Sequence, residues 1–516
     1  MLSKPSRRRR ALALPLGLVL AASLGLTGAV TANAQDNTPA AKDAAKPAAK
    51  DGEKLSYVVN TEKNPRTINR VKREIRAAKG KIVTTYAKIG VIVVHSANPE
   101  FSKTIRAVDG VDSAGATRTA PLRSATTTEV GKPKFVKEPK ASLAASAKND
   151  GQEPLESLQW DKRAIKADKA SKVDEGSSRV TVGVIDTGVD DTHPDLKPNF
   201  SRWQSANCVG GKADTSPGAW RPYDPAEDYH GTHVAGIIAA PRNGVGIAGT
   251  APGVKVASLK VSEPDTSLFY SEAVVCAMVY AADHGVEVTN NSYYVDPWLY
   301  NCDDHGDQKA IADAVGRAIK YAQGKGVTTV SSAGNSAHDL AASEIVDSTS
   351  PDDSTPVERT INPATCPDVP NMLPGSMSIS ATGPEDNLKS YYSNYGQGEI
   401  DVAAPGGDRR FQTPDAPAKD GGILSTMPDG DYAYLQGTSM AGPQVAGVAA
   451  LIKSKHPRAT PQEIAWRLKA QATSVPCPED FDPDGKGTYA AKCTGFTGNN
   501  SFYGHGLVNA LAAVTK

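Results

Sequence analysis

Between residues 54 and 117, short apolar runs alternate with two segments whose apolar residues recur at helical spacing. Leu55 to Val59, Ile82 to Tyr86, Val91 to His95 and Val111 to Gly115 read as strands, and Thr67 to Ala78 and Pro99 to Val108 as helices. The order β-α-β-β-α-β predicts a small α+β unit. From residue 155 to 516 the pattern is different. Val180 to Ile185, Ala257 to Val261, Val286 to Thr289, Val327 to Val330 and Met377 to Ser380 are short runs with little charge, separated by helical segments that start at His230, Ser271 and Gln308. Strands that are apolar throughout, not alternately, are covered on both faces. The expected architecture is therefore α/β, three layers, with a mostly parallel sheet and helices on both faces. Residues 118–154, rich in Thr, Ser, Pro and Lys, read as a linker, and residues 35–53 as a flexible lead-in.

Three short motifs fall where such a sheet can bring them together. The first strand of the large unit ends in Asp186-Thr187-Gly188, and His230 opens a helix in His230-Gly231-Thr232-His233-Val234-Ala235-Gly236. Ser439 lies in Gly437-Thr438-Ser439-Met440-Ala441, a turn of small residues ahead of an apolar helical run. Open parallel sheets place their sites beyond the carboxyl ends of the strands, so pieces this far apart in sequence can converge. A serine hydroxyl is a weak nucleophile alone. A histidine that takes its proton and a carboxylate that orients the histidine make it a strong one. His233 is read as a packed helix residue.

The three motifs, in the order Asp, His, Ser and including Val184-Ile185 before Asp186, resemble those of the subtilisin-like serine proteases over roughly residues 155 to 516. The resemblance implies an endopeptidase with Ser439 as nucleophile, His230 as base and Asp186 as its orienter, with activity falling once the imidazole is protonated. It places Asn335 as the amide that shares the oxyanion hole with the Ser439 N–H. It also implies that residues 54–117 are an inhibitor- and chaperone-type propeptide, a ferredoxin-like prodomain, and that maturation cuts within residues 118–154. Ser292-Tyr293-Tyr294 stands where relatives carry a strip of small residues that binds substrate backbone. Two bulky rings there are expected to narrow or reroute the pocket. Asp195, Asn243 and Gln159 match positions that hold a structural calcium ion in many relatives. Catalysis itself needs no cofactor. The implied partners are protein or peptide substrates and the chain's own propeptide, acting on a monomer. A catalytically inactive binding protein on the same fold, and a transpeptidase or ligase using the same acyl-enzyme, stay open as alternatives.

Composition adds the compartment. The 516 residues carry 57 basic and 57 acidic side chains, so nothing electrostatic favours nucleic acid. Residues 1–34 have a basic start at Lys4 and Arg7 to Arg10, an apolar stretch and the cleavage pattern Ala32-Asn33-Ala34, as in a secretory signal peptide. No long apolar segment follows, so a secreted, extracellular protein free of the membrane is expected after signal removal. Outside the cell six cysteines allow up to three disulfides. Cys477 with Cys493 and Cys302 with Cys366 are the candidate pairs, and Cys276 could equally be a free thiol in the core. Asp480-Phe481-Asp482-Pro483-Asp484-Gly485 has the spacing of a calcium loop but lacks its final glutamate, so it reads as a solvated acidic turn. The acidic stretch from Ser336 to Asn371 likewise reads as a solvated loop.

Overall fold

The N-terminal unit consists of β1 (Leu55–Thr61), α1 (Pro65–Ala77), β2 (Lys81–Tyr86), β3 (Val91–Ser96), α2 (Phe101–Arg106) and β4 (Val111–Ala116). Its strands pair antiparallel in the order β2-β3-β1-β4, the ferredoxin-like arrangement expected from the sequence. Asn64 caps α1 by accepting the Arg66 N–H, and Pro65 occupies a first-turn position where its missing N–H costs nothing. Ile68, Val71 and Ile75 of α1 then close over Tyr57, Val59, Ile92 and Val94. These coordinates come from a computed structural model, which describes residues 53–119, 130–136 and 152–516. All of them lie within one compact unit, Pro47–Lys516. The expected signal peptide, almost all of the lead-in and much of the linker fall outside the described residues.

After β5 (Lys134–Phe135) and the short helices α3 (Trp160–Ala164) and α4 (Ala167–Ala170), the large unit is built on a seven-stranded sheet. Its elements run β6 (Thr181–Asp186), β7 (Ala206–Asn207), α5 (His230–Ala239), β8 (Lys255–Lys260), α6 (Ser271–Asp283), β9 (Val288–Asn291), α7 (Gly306–Gly324) and β10 (Thr328–Ser332). A small hairpin, β11 (Ile345–Asp347) and β12 (Arg359–Ile361), precedes β13 (Ser376–Thr382) and β14 (Val402–Pro405). The sheet order is β14-β13-β10-β9-β6-β8-β7, with parallel pairing throughout. Alternate side chains explain the three layers. Val182 and Val184 of β6 pack with α5 on one face, and Ile185 packs with α6 and α7 on the other. The chain closes with the hairpin β15 (Ile423–Met427) and β16 (Asp431–Leu435), then α8 (Thr438–Lys455), α9 (Pro461–Gln471) and α10 (Ala510–Thr515). Helix α9 begins with a capping box in which Thr460 and Glu463 each take the other's main-chain N–H.

The N-terminal sheet lies against α6 and α7. Asn60 Nδ2 donates to the Ala310 carbonyl at 2.9 Å, Ser113 Oγ to Asp313 at 2.6 Å, and Arg317 to the Thr61 carbonyl at 2.7 Å and to Asp112 at 2.5 Å. Past β4 the Arg118 side chain is 11% exposed, donates to Glu272 at 2.7 Å and Glu263 at 3.1 Å, and stacks on the Tyr270 ring. The backbone and hydroxyl of Thr119 both donate to Asp353.

Two sequence expectations are corrected. Cys276 is not a free thiol: it is bonded to Cys208, alongside Cys302–Cys366 and Cys477–Cys493. Cys276 lies in the helix that packs over the strand end carrying Cys208, a proximity that 68 residues of separation hide in the sequence. The acidic insert is not simply a solvated loop either. Asp347, Asp353 and Asp368 within it are buried, and Asp347 is paired with Arg359 at 2.7 Å. The 480–485 segment is a turn in which Asp482 accepts N–H bonds from Gly485 and Gly487.

Candidate active site

β6 ends at Asp186, and the helix α5 begins at His230, beside it. A Cβ on Gly231 would approach the Asp186 side chain to 3.1 Å and the Gly188 carbonyl to 2.3 Å, so only glycine lets the helix start this close to the strand end. Both Asp186 oxygens reach His230 Nδ1, at 2.8 and 3.0 Å, and both side chains are buried. Asp186 also accepts the Thr187 N–H at 2.7 Å, while Thr187 Oγ1 accepts the Gly231 N–H. The carboxylate therefore holds one face of the imidazole in place, which leaves the Nε2 side as the working side.

Ser439 stands in the first turn of α8, which packs on α5. Its hydroxyl donates to the Ser292 carbonyl at 3.3 Å, and Ser292 Oγ donates to the Ser439 carbonyl at 3.0 Å. Asn335, just past β10, is oriented by its own acceptor end. Its Oδ1 takes the Thr438 N–H and Oγ1–H, each at 2.8 Å. Its Nδ2 consequently faces Gly437, whose added Cβ would lie 3.6 Å away. Asp186, His230, Ser439 and Asn335 thus all come from strand ends or helix starts on one side of the sheet.

The strip after β9 departs from expectation. Tyr293 is 3% exposed, stacks on Phe269 with centroids 4.9 Å apart, and donates to Asn291 Oδ1 at 2.9 Å. It is part of the core beneath the strip and does not narrow a pocket. Tyr294 is half-buried and donates to Asp352 at 2.5 Å, which ties the strip to the acidic insert. Of the three, Ser292 is the one that touches Ser439. His233 is fully buried near the Ile423 and Ala433 carbonyls, and burial pushes its imidazole down to about 3, in keeping with a packed, neutral residue.

Among the expected calcium ligands, Asp195 is buried, with Oδ2 accepting from the Ile247 N–H and Tyr432 OH. Among the described residues its Oδ1 has no hydrogen-bond partner, and burial raises its carboxyl well above the usual range. Gln159 spends both amide ends on the Ala248 main chain, and Asn243 Oδ1 accepts the Val245 N–H. Among the described residues no group of three or more His, Cys, Asp or Glu is arranged to hold a metal ion, and no helix is long and apolar enough to cross a membrane.

Sequence reasoning missed the polar cluster behind α8. Lys162 is buried and donates to Gln444 at 2.9 Å, Thr250 at 3.0 Å and the Ile237 carbonyl at 3.1 Å, while Gln444 donates to Asp161 at 2.7 Å.

A parallel α/β sheet carrying an oriented histidine and a serine at a helix start defines a serine peptidase of the subtilisin type. The subtilase family model matches residues 177–506, and the chain belongs to that family of serine endopeptidases. It is 31% identical over 349 residues to subtilisin DY of Bacillus licheniformis, a match covering 68% of this chain and 96% of that protein. It is 30% identical over 336 residues to subtilisin NAT of Bacillus subtilis subsp. natto, covering 65% of this chain and 66% of that one. In fold it is similar to the epidermin leader peptide processing serine protease of Staphylococcus aureus, with TM-score 0.63 at 23% identity, covering 90% of this chain and 98% of that one.

Proposed function

We propose that the protein is a secreted endopeptidase made as an inactive precursor. Ser439 attacks a peptide carbonyl, His230 takes the hydroxyl proton and delivers it to the leaving amine, and water then releases the acyl group by the same route in reverse. Asp186 fixes the tautomer and stabilises the imidazolium. Asn335 Nδ2 and the Ser439 N–H receive the negative oxygen of the tetrahedral intermediate. The observation that carries this reading is the two-oxygen grip of Asp186 on His230 Nδ1. The N-terminal unit, seated on α6 and α7, acts as intramolecular chaperone and inhibitor, since a domain that binds only the native form stabilises it. Asp195 would hold a structural calcium ion through Oδ1, which has no partner among the described residues, with Gln159 and Asn243 as its companion ligands.

The test is mass spectrometry of the secreted wild type beside Ser439→Ala, with a fluorophosphonate probe on both. The wild type is expected to lose its N-terminal unit and to be labelled at Ser439, and the variant to do neither. Equal processing of the two would assign maturation to another protease. A processed wild type that resists the probe would mark a catalytically inactive protein.

A further inference from the structure

Residues 130–136 lie along the outer edge of the β15–β16 hairpin. Phe135 pairs with Ala433 and Lys134 with Tyr434, antiparallel, and the Val136 N–H donates to the Tyr432 carbonyl at 2.9 Å. Side chains extend the grip. Gln436 Nε2 donates to the Val130 carbonyl at 3.1 Å, and Arg409 Nη1 to the Lys132 carbonyl at 2.9 Å. Lys134 Nζ donates to Asp420 at 2.8 Å. The Asp420 side chain is only 7% exposed, and its other oxygen is fixed by Arg409 Nε and the Gly422 N–H, each at 2.9 Å. Lys134 and Val136 share a face of the strand, and Val136 packs into the cluster of Leu155, Leu158, Leu424, Tyr432 and Tyr434. Phe135, on the other face, is exposed.

The direction of this strand gives it meaning. β16 runs toward Gly437 and Ser439, so an antiparallel partner starts near the nucleophile at Val130 and runs away from it. A polypeptide held for cleavage at Ser439 would follow the same edge with the residues on the C-terminal side of the cut. The carbonyl and N–H contacts suit any extended chain, as strand addition to an open edge does, while pockets for alternate side chains supply selectivity.

We propose that the β16 edge is a docking strip for the C-terminal side of polypeptide substrates, occupied in the precursor by residues 130–136. Asp420 selects a basic side chain opposite Tyr434, and the Leu424, Tyr432 and Tyr434 surface selects an aliphatic one two residues later. The proposal rests on the endopeptidase reading and adds to it a specificity-determining carboxylate remote from the triad.

The matured protein is tested on peptides with fixed residues before the cut and eight after it, in which Lys or Glu is scanned through the later positions. Lys is expected to be preferred over Glu at one position by roughly tenfold in kcat/KM, as for one part-exposed charged hydrogen bond. Acetylating that lysine should remove the preference. Asp420→Asn should bring the ratio to about one, and Asp420→Lys should reverse it. Because each figure is a ratio within one enzyme, a general loss of folded protein cancels. A flat scan in an active enzyme overturns the proposal and leaves the endopeptidase reading intact. So does a mature N-terminus upstream of Val130 with residues 130–136 still protected on the edge. Cleavage of none of the peptides overturns the endopeptidase reading itself.

Discussion

Replacing Arg118 with Met is expected to loosen the N-terminal unit from the rest of the protein. The guanidinium is nine-tenths buried between Glu272 and Glu263. Burial opposes the charge on Glu272, yet Arg118 beside it holds that carboxyl below the ordinary range. At Glu263 burial wins, and the carboxyl stays raised in spite of the same arginine. Methionine keeps the apolar stem over the Tyr270 ring but leaves two neighbouring buried acids without a cation. Removing one partner of a buried ion pair costs about 3–5 kcal/mol, because the remaining charge is uncompensated. That corresponds to about two to three and a half orders of magnitude in an opening equilibrium. The assay is hydrogen exchange in β1 to β4 of the full-length Ser439→Ala protein, which reports local opening of the N-terminal unit. Adding Glu263→Gln and Glu272→Gln to the Arg118→Met protein should recover most of the loss, since the orphaned charges are gone. A change below about 1 kcal/mol, the value of a surface pair, or no recovery in the triple variant would refute the claim that this cluster anchors the unit.

Other consequences are equally direct. Asn335→Ala should lower kcat by about 10²–10³ with KM nearly unchanged, a magnitude that was itself measured on a subtilisin; a raised KM at constant kcat would mean Asn335 binds the ground state. Lys389 is fully buried against the Phe481, Tyr395 and Phe502 rings, and burial pushes it down to about 7, partly offset by Asp408. Its folded value lies below its unfolded one, so the unfolded chain binds the extra proton from about pH 7 upward and the lysine's contribution to stability rises with pH. Lys389→Met should thus be more stable than wild type at pH 6, an advantage shrinking by about 1.4 kcal/mol per pH unit above 7; a difference that is flat from pH 6 to 9 would contradict it. Paired Cys→Ala replacement should cost about 4 kcal/mol for Cys302–Cys366, which closes a 64-residue span, and about 3 for Cys477–Cys493, which closes 16. Urea unfolding on the Ser439→Ala background gives both values, and a reversed order would rule out loop closure as the cause.

The candidate site groups were legible because each is announced by its immediate neighbours: Asp186 by an apolar strand before it, His230 and Ser439 by small residues that let a helix start close to other backbone. Features that depend on remote partners were not. Arg118 looked like one more charge in a solvated linker, and its carboxylates lie 145 and 154 residues away. Asp431–Leu435 carries no strong strand signal, yet it pairs on both sides as β16. β14 is four residues ending in proline, tolerable because it lies at the edge of the sheet. Tyr293 has a side-chain direction set in part by Phe269, which comes from another segment.

That last point changes where specificity resides. With Tyr293 turned into the core, the strip beside Ser439 presents the Ser292 backbone and, through Tyr294, a link to Asp352. Asp352 belongs to an insert braced by the Cys302–Cys366 bond and by Arg359, which grips Asp347 and the Tyr300 carbonyl. Within it the carboxylates of Asp347, Asp352 and Asp353 are committed to internal partners, while Glu344 and Glu358 stay exposed. The Tyr294–Asp352 hydrogen bond ties the strip to this braced insert. Side-chain selection by charge then falls to carboxylates that keep one oxygen for an incoming cation, and Asp420, which holds Lys134 in that way, meets the requirement.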